Sequence, residues 1–275
     1  MLLVVSMCLT VYARSLTFCR LRRSKEDLPE TTVASFESAA RDLAALCEQY
    51  GWEVVLHYNN RQQEAEALCA TLTDKGYRVT PISADLSLAD APDALMATAS
   101  HSGPVTAVIN NASLFSYDCA DSVSPELIAQ HMAVNLSAPA LLTKALYQQL
   151  PEERTGCVIN MLDAKLFGIN PDYFSYTLSK AAAHALTQIS AQAYAPRLRV
   201  NAIAPGIVLP SGGQSQAEFE KSHKRNLLGQ GATIAEIVAA MRLLLSASSM
   251  TGEVVILDGG AHLRPPARDV AFLEA

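Results

Sequence analysis

The sequence predicts an α/β fold, a single-domain Rossmann-type doubly wound parallel sheet with helices on both faces. Three observations lead to this prediction. Short runs rich in β-branched residues recur along the chain, helical segments separate them, and small or polar residues follow the ends of the runs. Such alternation implies parallel strands joined by right-handed crossovers. A chain of 275 residues can enclose one complete core.

The strands can be assigned in chain order. Residues 51–58 form a buried run that ends at His57 and Tyr58, and residues 61–75 have the spacing of the helix that follows it. The same rhythm continues through five further strand-like runs, at 77–83, 105–110, 156–162, 198–203 and 253–257. Because ligands of such a sheet bind beyond the carboxyl ends of the strands, the polar residues at those ends form the candidate site.

The first thirty residues depart from this rhythm. Residues 1–13 are apolar, but they are too few to cross a bilayer, and the basic residues follow the apolar run where a signal peptide has them in front. The run is instead a candidate for the first strand. We therefore divide the chain into an atypical N-terminal segment over 1–30, a Rossmann-fold domain over 31–264 and a tail over 265–275.

Tyr176, Lys180 and Asp163 have the spacing of a proton-transfer group. Tyr176 and Lys180 lie four residues apart in a run of good helix formers, so both side chains project from one helix face. A phenol with a pKa of about 10 is a poor acid at neutral pH. A neighbouring ammonium stabilises the phenolate and so lowers the pKa of the phenol. Asp163 ends an apolar run thirteen residues before Tyr176. Residues placed for proton transfer indicate an enzyme.

Each candidate also has a simpler structural interpretation. Asp163 could cap a helix or loop, Phe115 could be ordinary core, and Asn135 could be an amide bonded to the backbone inside a helix. The place of Asp163, at a strand end before the Tyr-xxx-Lys helix, favours catalysis over capping. The six histidines show no ligand spacing, so we predict no metal site.

Several motifs, spread over residues 34–262, together resemble the short-chain dehydrogenase/reductase family. They are Asn-Asn-Ala-Ser at 110–113, the helix asparagine Asn135, the Tyr176-xxx-Lys180 pair and the turn Pro205-Gly206. The family has a serine thirteen residues before its tyrosine, where this chain has Asp163. Aspartate at that position, with Phe115 just after the asparagine motif, resembles the pteridine reductase branch.

The resemblance implies an NADP(H)-dependent reductase and a role for each matching residue. Tyr176 would supply the proton with the help of Asp163, and Lys180 would hold the ribose and lower the pKa of the tyrosine. Asn135 would help to position a relay water, and Phe115 would stack on a flat, pterin-like substrate. Residues that match the family's cofactor contacts are His57, Asn60, Arg61, Asp85, Asn111, Ala112, Ser113, Tyr176, Lys180, Pro205 and Gly206.

The cofactor site has two unusual features. No carboxylate stands at 57–61, where NAD-selective relatives hold the ribose, so NADP(H) is favoured, with Arg61 near a 2′-phosphate. The family's Thr-Gly-xxx-Gly-x-Gly loop is absent, and its threonine and three glycine positions are Val33, Ala34, Ser38 and Ala40. Cβ atoms there would obstruct the approach of the backbone to a pyrophosphate, so we expect weakened cofactor binding.

Three functions remain open at this point. The leading one is an NADPH-dependent reductase of a pteridine, such as a dihydropterin or a dihydrofolate-like molecule. The second is a reductase of another carbonyl substrate, such as an oxoacyl thioester or a small ketone. The third is a catalytically impaired homologue that has lost the glycine-rich loop. In all three, residues 210–231 resemble a mobile lid over the substrate.

Composition limits the partners. A net charge of −6 and a pI near 5.5, without a basic stripe, argue against nucleic acid and acidic membrane surfaces. The small charged fraction, 17%, is typical of a compact α/β protein, and we expect a homodimer or homotetramer through the helices around 124–149 and 172–193. Six cysteines without a Cys-x-x-Cys motif suit free thiols in a reducing compartment, so we expect a cytoplasmic protein.

Overall fold

The sheet has seven parallel strands. A computed structural model describes residues 2–6, as backbone, together with residues 52–210 and 214–272. The strand order is β3-β2-β1-β4-β5-β6-β7. The strands are β1 Leu2–Ser6, β2 Glu53–Tyr58, β3 Val79–Ser83, β4 Val105–Asn110, β5 Gly156–Met161, β6 Leu198–Pro205 and β7 Val254–Leu257. The predicted Rossmann-type parallel sheet is thereby confirmed.

The apolar N-terminal run supplies the central strand. β1 pairs with β2 on one side and with β4 on the other, so Ser6 lies opposite both His57 and Asn110. The strand order reverses between β1 and β4, and in open parallel sheets a ligand crevice forms at such a reversal. The four positions that stand in place of the family's glycine loop lie outside the described residues.

Seven α-helices lie in the described part of the chain. They are α1 Gln62–Asp74, α2 Ala91–Ala99, α3 Pro125–Met132, α4 Ala138–Gln149, α5 Phe174–Ala193, α6 Gln216–His223 and α7 Ile234–Ser246. A π-helical turn, Ala133–Ser137, joins α3 to α4. The predicted helix at 61–75 is present, and Arg61 is its N-cap residue.

The strands bury both faces, which explains their continuous apolar runs. Alternate residues point to opposite sides, so Val54 and Leu56 of β2 join one core cluster and Val55 joins the other. The first cluster packs against α1 and α7, and the second packs against α2, α4 and the end of α5. No helix in the described ranges has the length and apolarity needed to cross a bilayer.

Candidate active site

A cavity of about 620 Å³ opens beyond the carboxyl ends of β4, β5 and β6. Its size is in the range of small-molecule and cofactor sites, which is about 300–1,000 Å³. Sequence-predicted residues in its wall are Asn111, Ser113, Phe115, Asp163, Tyr176, Lys180, Pro205 and Gly206. The fold thus brings the predicted catalytic and substrate residues to one place. Asn135 does not line the cavity but forms hydrogen bonds to residues of its wall and of α5.

Asp163 and Tyr176 form a direct hydrogen bond. The phenol Oη of Tyr176 donates to Oδ2 of Asp163 over 2.8 Å. The other carboxylate oxygen, Oδ1, accepts the backbone N–H of Lys165 over 2.8 Å and so caps the short helical turn Ala164–Phe167. Asp163 therefore caps the turn through Oδ1 and contacts the tyrosine through Oδ2.

Burial raises the pKa of Asp163 above its ordinary value, because the carboxylate loses water at the cavity floor. The hydrogen bonds from Lys165 N–H and Tyr176, and the charges of Lys180 and Lys165, act in the opposite direction and favour the carboxylate. Desolvation is the larger effect. The side chain thus holds a proton at a higher pH than an exposed aspartate does.

Lys180 lies one helical turn after Tyr176 on α5, as the spacing predicts. Its Nζ lies 5.8 Å from the centroid of the Tyr176 ring and donates to the backbone carbonyl of Met161 over 2.7 Å. Both side chains are buried. An ammonium beside a phenol stabilises phenolate, and this is the role that the family resemblance predicts for Lys180.

Asn135 lies in the π-helical turn and braces the site. Its Nδ2 donates to Leu114 O and to Ser179 Oγ, each over 2.9 Å, and its Oδ1 accepts from Leu114 N–H and Ser113 Oγ–H. All four hydrogen-bonding capacities of the amide are used by protein atoms. The side chain therefore ties the loop after β4 to helix α5, and π-helical turns of this kind are frequent at functional sites.

The aromatic wall of the cavity is built around Phe115. Its ring stacks on Tyr173 with centroids 4.2 Å apart and meets the Tyr176 ring edge-on at 4.6 Å. Stacked rings at this distance leave no space between them. Because Tyr173 covers one face of Phe115, a planar substrate that stacks on Phe115 must use the other face.

The sequence analysis missed two buried polar residues beside the site, Asp118 and His131. Asp118 accepts the backbone N–H of Ser175 over 2.9 Å and also the Ser175 hydroxyl, so it caps the start of the helix that carries Tyr176. His131 donates from Nδ1 to Leu127 O and accepts Ser116 N–H at Nε2, which defines a neutral ring. Burial lowers the pKa of His131 and favours that neutral form.

The C-terminal residues also reach the cavity, although the sequence analysis assigned them to a tail. Pro265, Pro266 and residues 269–271 form part of its wall. The guanidinium of Arg268 binds Asp172 through two nitrogens, and Lys165 Nζ lies 3.2 Å from Asp269 Oδ2. These contacts link positions about a hundred apart in the chain, so no local pattern indicates them.

The remaining predicted cofactor residues lie along the same edge of the sheet, at the ends of β2 and β3 and in the turn after β4. His57 is buried, and its Nε2–H donates to Ala84 O over 2.8 Å. Arg61 forms an ion pair with Glu64 over 3.3 Å, and Asn60 is exposed beside it. Asp85 accepts from the hydroxyl and the N–H of Ser87, which lower its pKa. Ala112 is half-buried between Asn111 and Ser113.

Pro205 and Gly206 form the turn after β6, as predicted. Gly206 N–H donates to Leu257 O over 2.8 Å, and a Cβ at this glycine would lie 3.0 Å from atoms of Asp258. Close packing therefore favours glycine here. Within the described ranges, no group of three or more His, Cys, Asp or Glu side chains is arranged to hold a metal ion.

Part of the segment predicted as a lid lines the cavity. Residues 214, 222, 223, 225 and 226 contribute to the wall, and His223 donates from Nδ1 to Ile207 O over 2.8 Å. Gly231 passes so close to His223 that a Cβ there would lie 2.5 Å from the ring. This part of the lid is thus packed against the turn that follows β6.

The chain is similar to known proteins in sequence and in structure. A sequence model of the family described as enoyl-(acyl carrier protein) reductase matches residues 33–262. The human protein named dehydrogenase/reductase SDR family member 4 is 30% identical over 242 residues, covering 84% of this chain and 86% of the relative.

Two solved structures are also similar over most of the chain. Both are NADP complexes of FolM alternative dihydrofolate reductase 1. The Brucella canis protein has a TM-score of 0.79 and 32% identity and covers 98% of this chain and 97% of its own. The Brucella suis protein has a TM-score of 0.78 and 36% identity, and the match covers 85% of this chain and 92% of its own.

Proposed function

The chain belongs to the short-chain dehydrogenase/reductase family, and we propose that it reduces a pteridine ring with NADPH. The observation that carries the proposal is the 2.8 Å hydrogen bond from Tyr176 Oη to Asp163 Oδ2. A carboxyl replaces the family's usual serine hydroxyl as the partner of the tyrosine. The likeness to alternative dihydrofolate reductases solved with NADP supports the same assignment.

The reaction divides into a hydride step and a proton step. NADPH, when bound, would supply a hydride for a carbon of the substrate's C=N bond. Tyr176 is placed to donate its phenolic proton to the neighbouring ring nitrogen, because its side chain lines the cavity. Asp163, whose pKa is raised by burial, can return a proton to the phenolate across the 2.8 Å hydrogen bond.

The other residues hold these groups in place. Lys180 stabilises the phenolate through its buried ammonium, and it would hold the ribose of the cofactor. Asn135 fixes the loop that carries Phe115 against α5. Phe115, held by its stacking on Tyr173, offers a flat apolar ring on which a pteridine would stack.

The described residues fit an NADP(H) site. Asn111, Ser113, Pro205 and Gly206 would surround the nicotinamide end, since they line the cavity beside Lys180. At the far end, Arg61 would meet the 2′-phosphate, Asp85 the adenine, and His57, Asn60 and Ala112 would complete the wall. We keep the expectation that Val33, Ala34, Ser38 and Ala40 weaken pyrophosphate binding.

We also propose that the protein is a cytoplasmic homodimer or homotetramer. Leu178 and Ile189 of α5 support an interface there, because 43% and 63% of these apolar side chains are exposed. Light scattering at several concentrations tests this, and a monomer at micromolar concentration would contradict it.

A substrate panel tests the function. The purified protein is mixed with NADPH and, separately, with 7,8-dihydrobiopterin, 7,8-dihydrofolate, an acetoacetyl thioester and a small ketone, and NADPH oxidation is followed. We expect turnover of the two pteridines, slow and only at high NADPH concentration, because the replaced glycine loop should weaken pyrophosphate binding. Asp163→Ser, which restores the family's usual residue, is the matched variant and should lose this activity. Turnover of the thioester or ketone alone would favour the carbonyl reductase, and absence of NADPH binding would favour the impaired homologue.

A further inference from the structure

The C-terminal strap, residues 264–272, crosses the candidate active site as a separate wall element. It follows the short helical turn Ala261–Leu263 and contributes Pro265, Pro266 and residues 269–271 to the cavity. Its apolar end, Phe272, packs on Tyr117 and Tyr173 with ring centroids 5.0 and 6.3 Å away. The strap thus touches the same aromatic group that contains Phe115.

The strap is fastened at a buried carboxylate. Arg268 donates to Asp172 from Nε over 2.8 Å and from Nη2 over 2.7 Å, a bidentate pair. The backbone N–H of Asp269 adds a third donor over 2.7 Å. Asp172 is only 2% exposed, so it has few solvent contacts and depends on these donors.

A second attachment joins the strap to Lys165 through Asp269. Lys165 Nζ binds Asp269 Oδ2 over 3.2 Å and Asn170 Oδ1 over 2.5 Å, and it lies 5.5 Å from the Tyr173 ring. The backbone N–H of the same lysine donates to Asp163. Both attachments therefore end at residues next to the proton-transfer pair or to the aromatic wall.

The Arg268–Asp172 attachment constrains the next residue, Tyr173. It follows Asp172 directly, has a left-handed φ of +55°, and is buried against Phe115 at 4.2 Å. A non-glycine residue in this conformation is strained and persists only where its surroundings hold it. The bidentate pair at the preceding residue and the ring of Phe272 supply such surroundings.

We propose that Arg268 is a positioning residue for substrate selection. Through Asp172 it holds Tyr173 against one face of Phe115 and so fixes the position of the ring on which a flat, fused heteroaromatic substrate would stack. This inference rests on the proposed function for the identity of the ring. The strap would thereby favour planar ring substrates over bulkier or flexible ones.

The test compares Arg268→Ala and Arg268→Lys with Arg242→Ala, an exposed arginine on α7 that serves as control. KM and kcat are measured with 7,8-dihydrobiopterin, and the NADPH Kd is measured by fluorescence. In Arg268→Ala we expect KM to rise roughly tenfold or more, the scale of one lost charge-assisted contact, with kcat and the NADPH Kd within about twofold. Arg268→Lys keeps the charge but loses the bidentate geometry and should recover part of the affinity.

A second readout does not depend on turnover. Near-ultraviolet circular dichroism reports the packing of Tyr117, Tyr173 and Phe272, and we expect it to change in Arg268→Ala and to stay unchanged in Arg242→Ala. An unchanged spectrum in Arg268→Ala would overturn the positioning role. If the wild-type protein binds NADPH but turns over no pteridine, the proposed function fails, and the spectrum still decides whether Arg268 positions Tyr173. A pteridine KM unaffected by Arg268→Ala in an active enzyme would refute the role in selection.

Discussion

Replacing Tyr176 with phenylalanine removes one oxygen from the centre of the site and leaves the ring. The ring is 3% exposed, and its contacts with Phe115 at 4.6 Å and His131 at 6.3 Å do not involve the oxygen. We therefore expect the fold and the NADPH Kd to be preserved. The change deletes the hydrogen bond to Asp163 and the proposed proton donor together.

The expected loss follows from these two deletions. A positioned general acid contributes about 10²–10⁴-fold to rate, so kcat for a dihydropterin should fall by that factor. The hydrogen bond to a charged group is itself worth about 1.5–3 kcal/mol, and its loss should raise the pKa of Asp163 further. Because the two residues act as a unit, Asp163→Ala in the Tyr176→Phe background should add little to the loss.

Steady-state kinetics of the two single variants and the double variant check this prediction. The control is Tyr58→Phe, a buried tyrosine of β2 that belongs to the first core cluster. Turnover within about tenfold of wild type in Tyr176→Phe, or losses that multiply in the double variant, would refute the proton-transfer pair, since independent sites give additive free energies.

Three further outcomes are expected. NADPH should bind more tightly than NADH, and Arg61→Ala should narrow the difference, whereas Arg78→Ala should not; equal Kd values in fluorescence titrations would contradict the site at β2. Asp163→Asn should be inactive yet more stable than wild type. The difference in stability should grow as pH rises above the ordinary aspartate pKa of about 3.9, because the raised pKa in the folded state makes the ionised carboxyl destabilising. Thermal melts at several pH values that lack this trend would argue against a desolvated carboxyl. Replacing residues up to Ala40 with a first strand and a Thr-Gly-Ala-Ala-Arg-Arg-Ile-Gly loop should tighten NADPH binding by several orders of magnitude, because each backbone hydrogen bond to phosphate is worth about 1.5–3 kcal/mol. Micromolar NADPH binding by the unaltered chain in calorimetry would show that its N-terminal segment forms a different phosphate-binding site.

Local patterns were sufficient to predict the sheet and the central residues of the site. β-Branched runs locate strands from β2 onward because both faces of a parallel sheet exclude water. Tyr176 and Lys180 could be paired from the sequence because one helical turn places them on the same face. Asp163 could be singled out because it ends an apolar strand, but its 2.8 Å contact with Tyr176 depends on the loop between them.

Contacts between distant segments were not predictable from the sequence. Arg268 and Asp172 are 96 positions apart, and neither stands in a periodic pattern. Tyr173 lies three residues before Tyr176, but the left-handed backbone that turns it onto Phe115 comes from its packing. The full use of the Asn135 amide likewise depends on where the loop after β4 meets α5.

The position of β1 has a consequence for assembly of the fold. This five-residue strand lies between β2 and β4, so without it the sheet would divide into a two-stranded and a four-stranded piece with two bare edges facing each other. Unpaired edges of apolar strands invite association with other chains. β1 pairs with β4, whose residues lie about a hundred positions later in the sequence, so this pairing is non-local and slow to form. Deletion of residues 2–6 would therefore be expected to yield aggregated protein rather than a shortened enzyme.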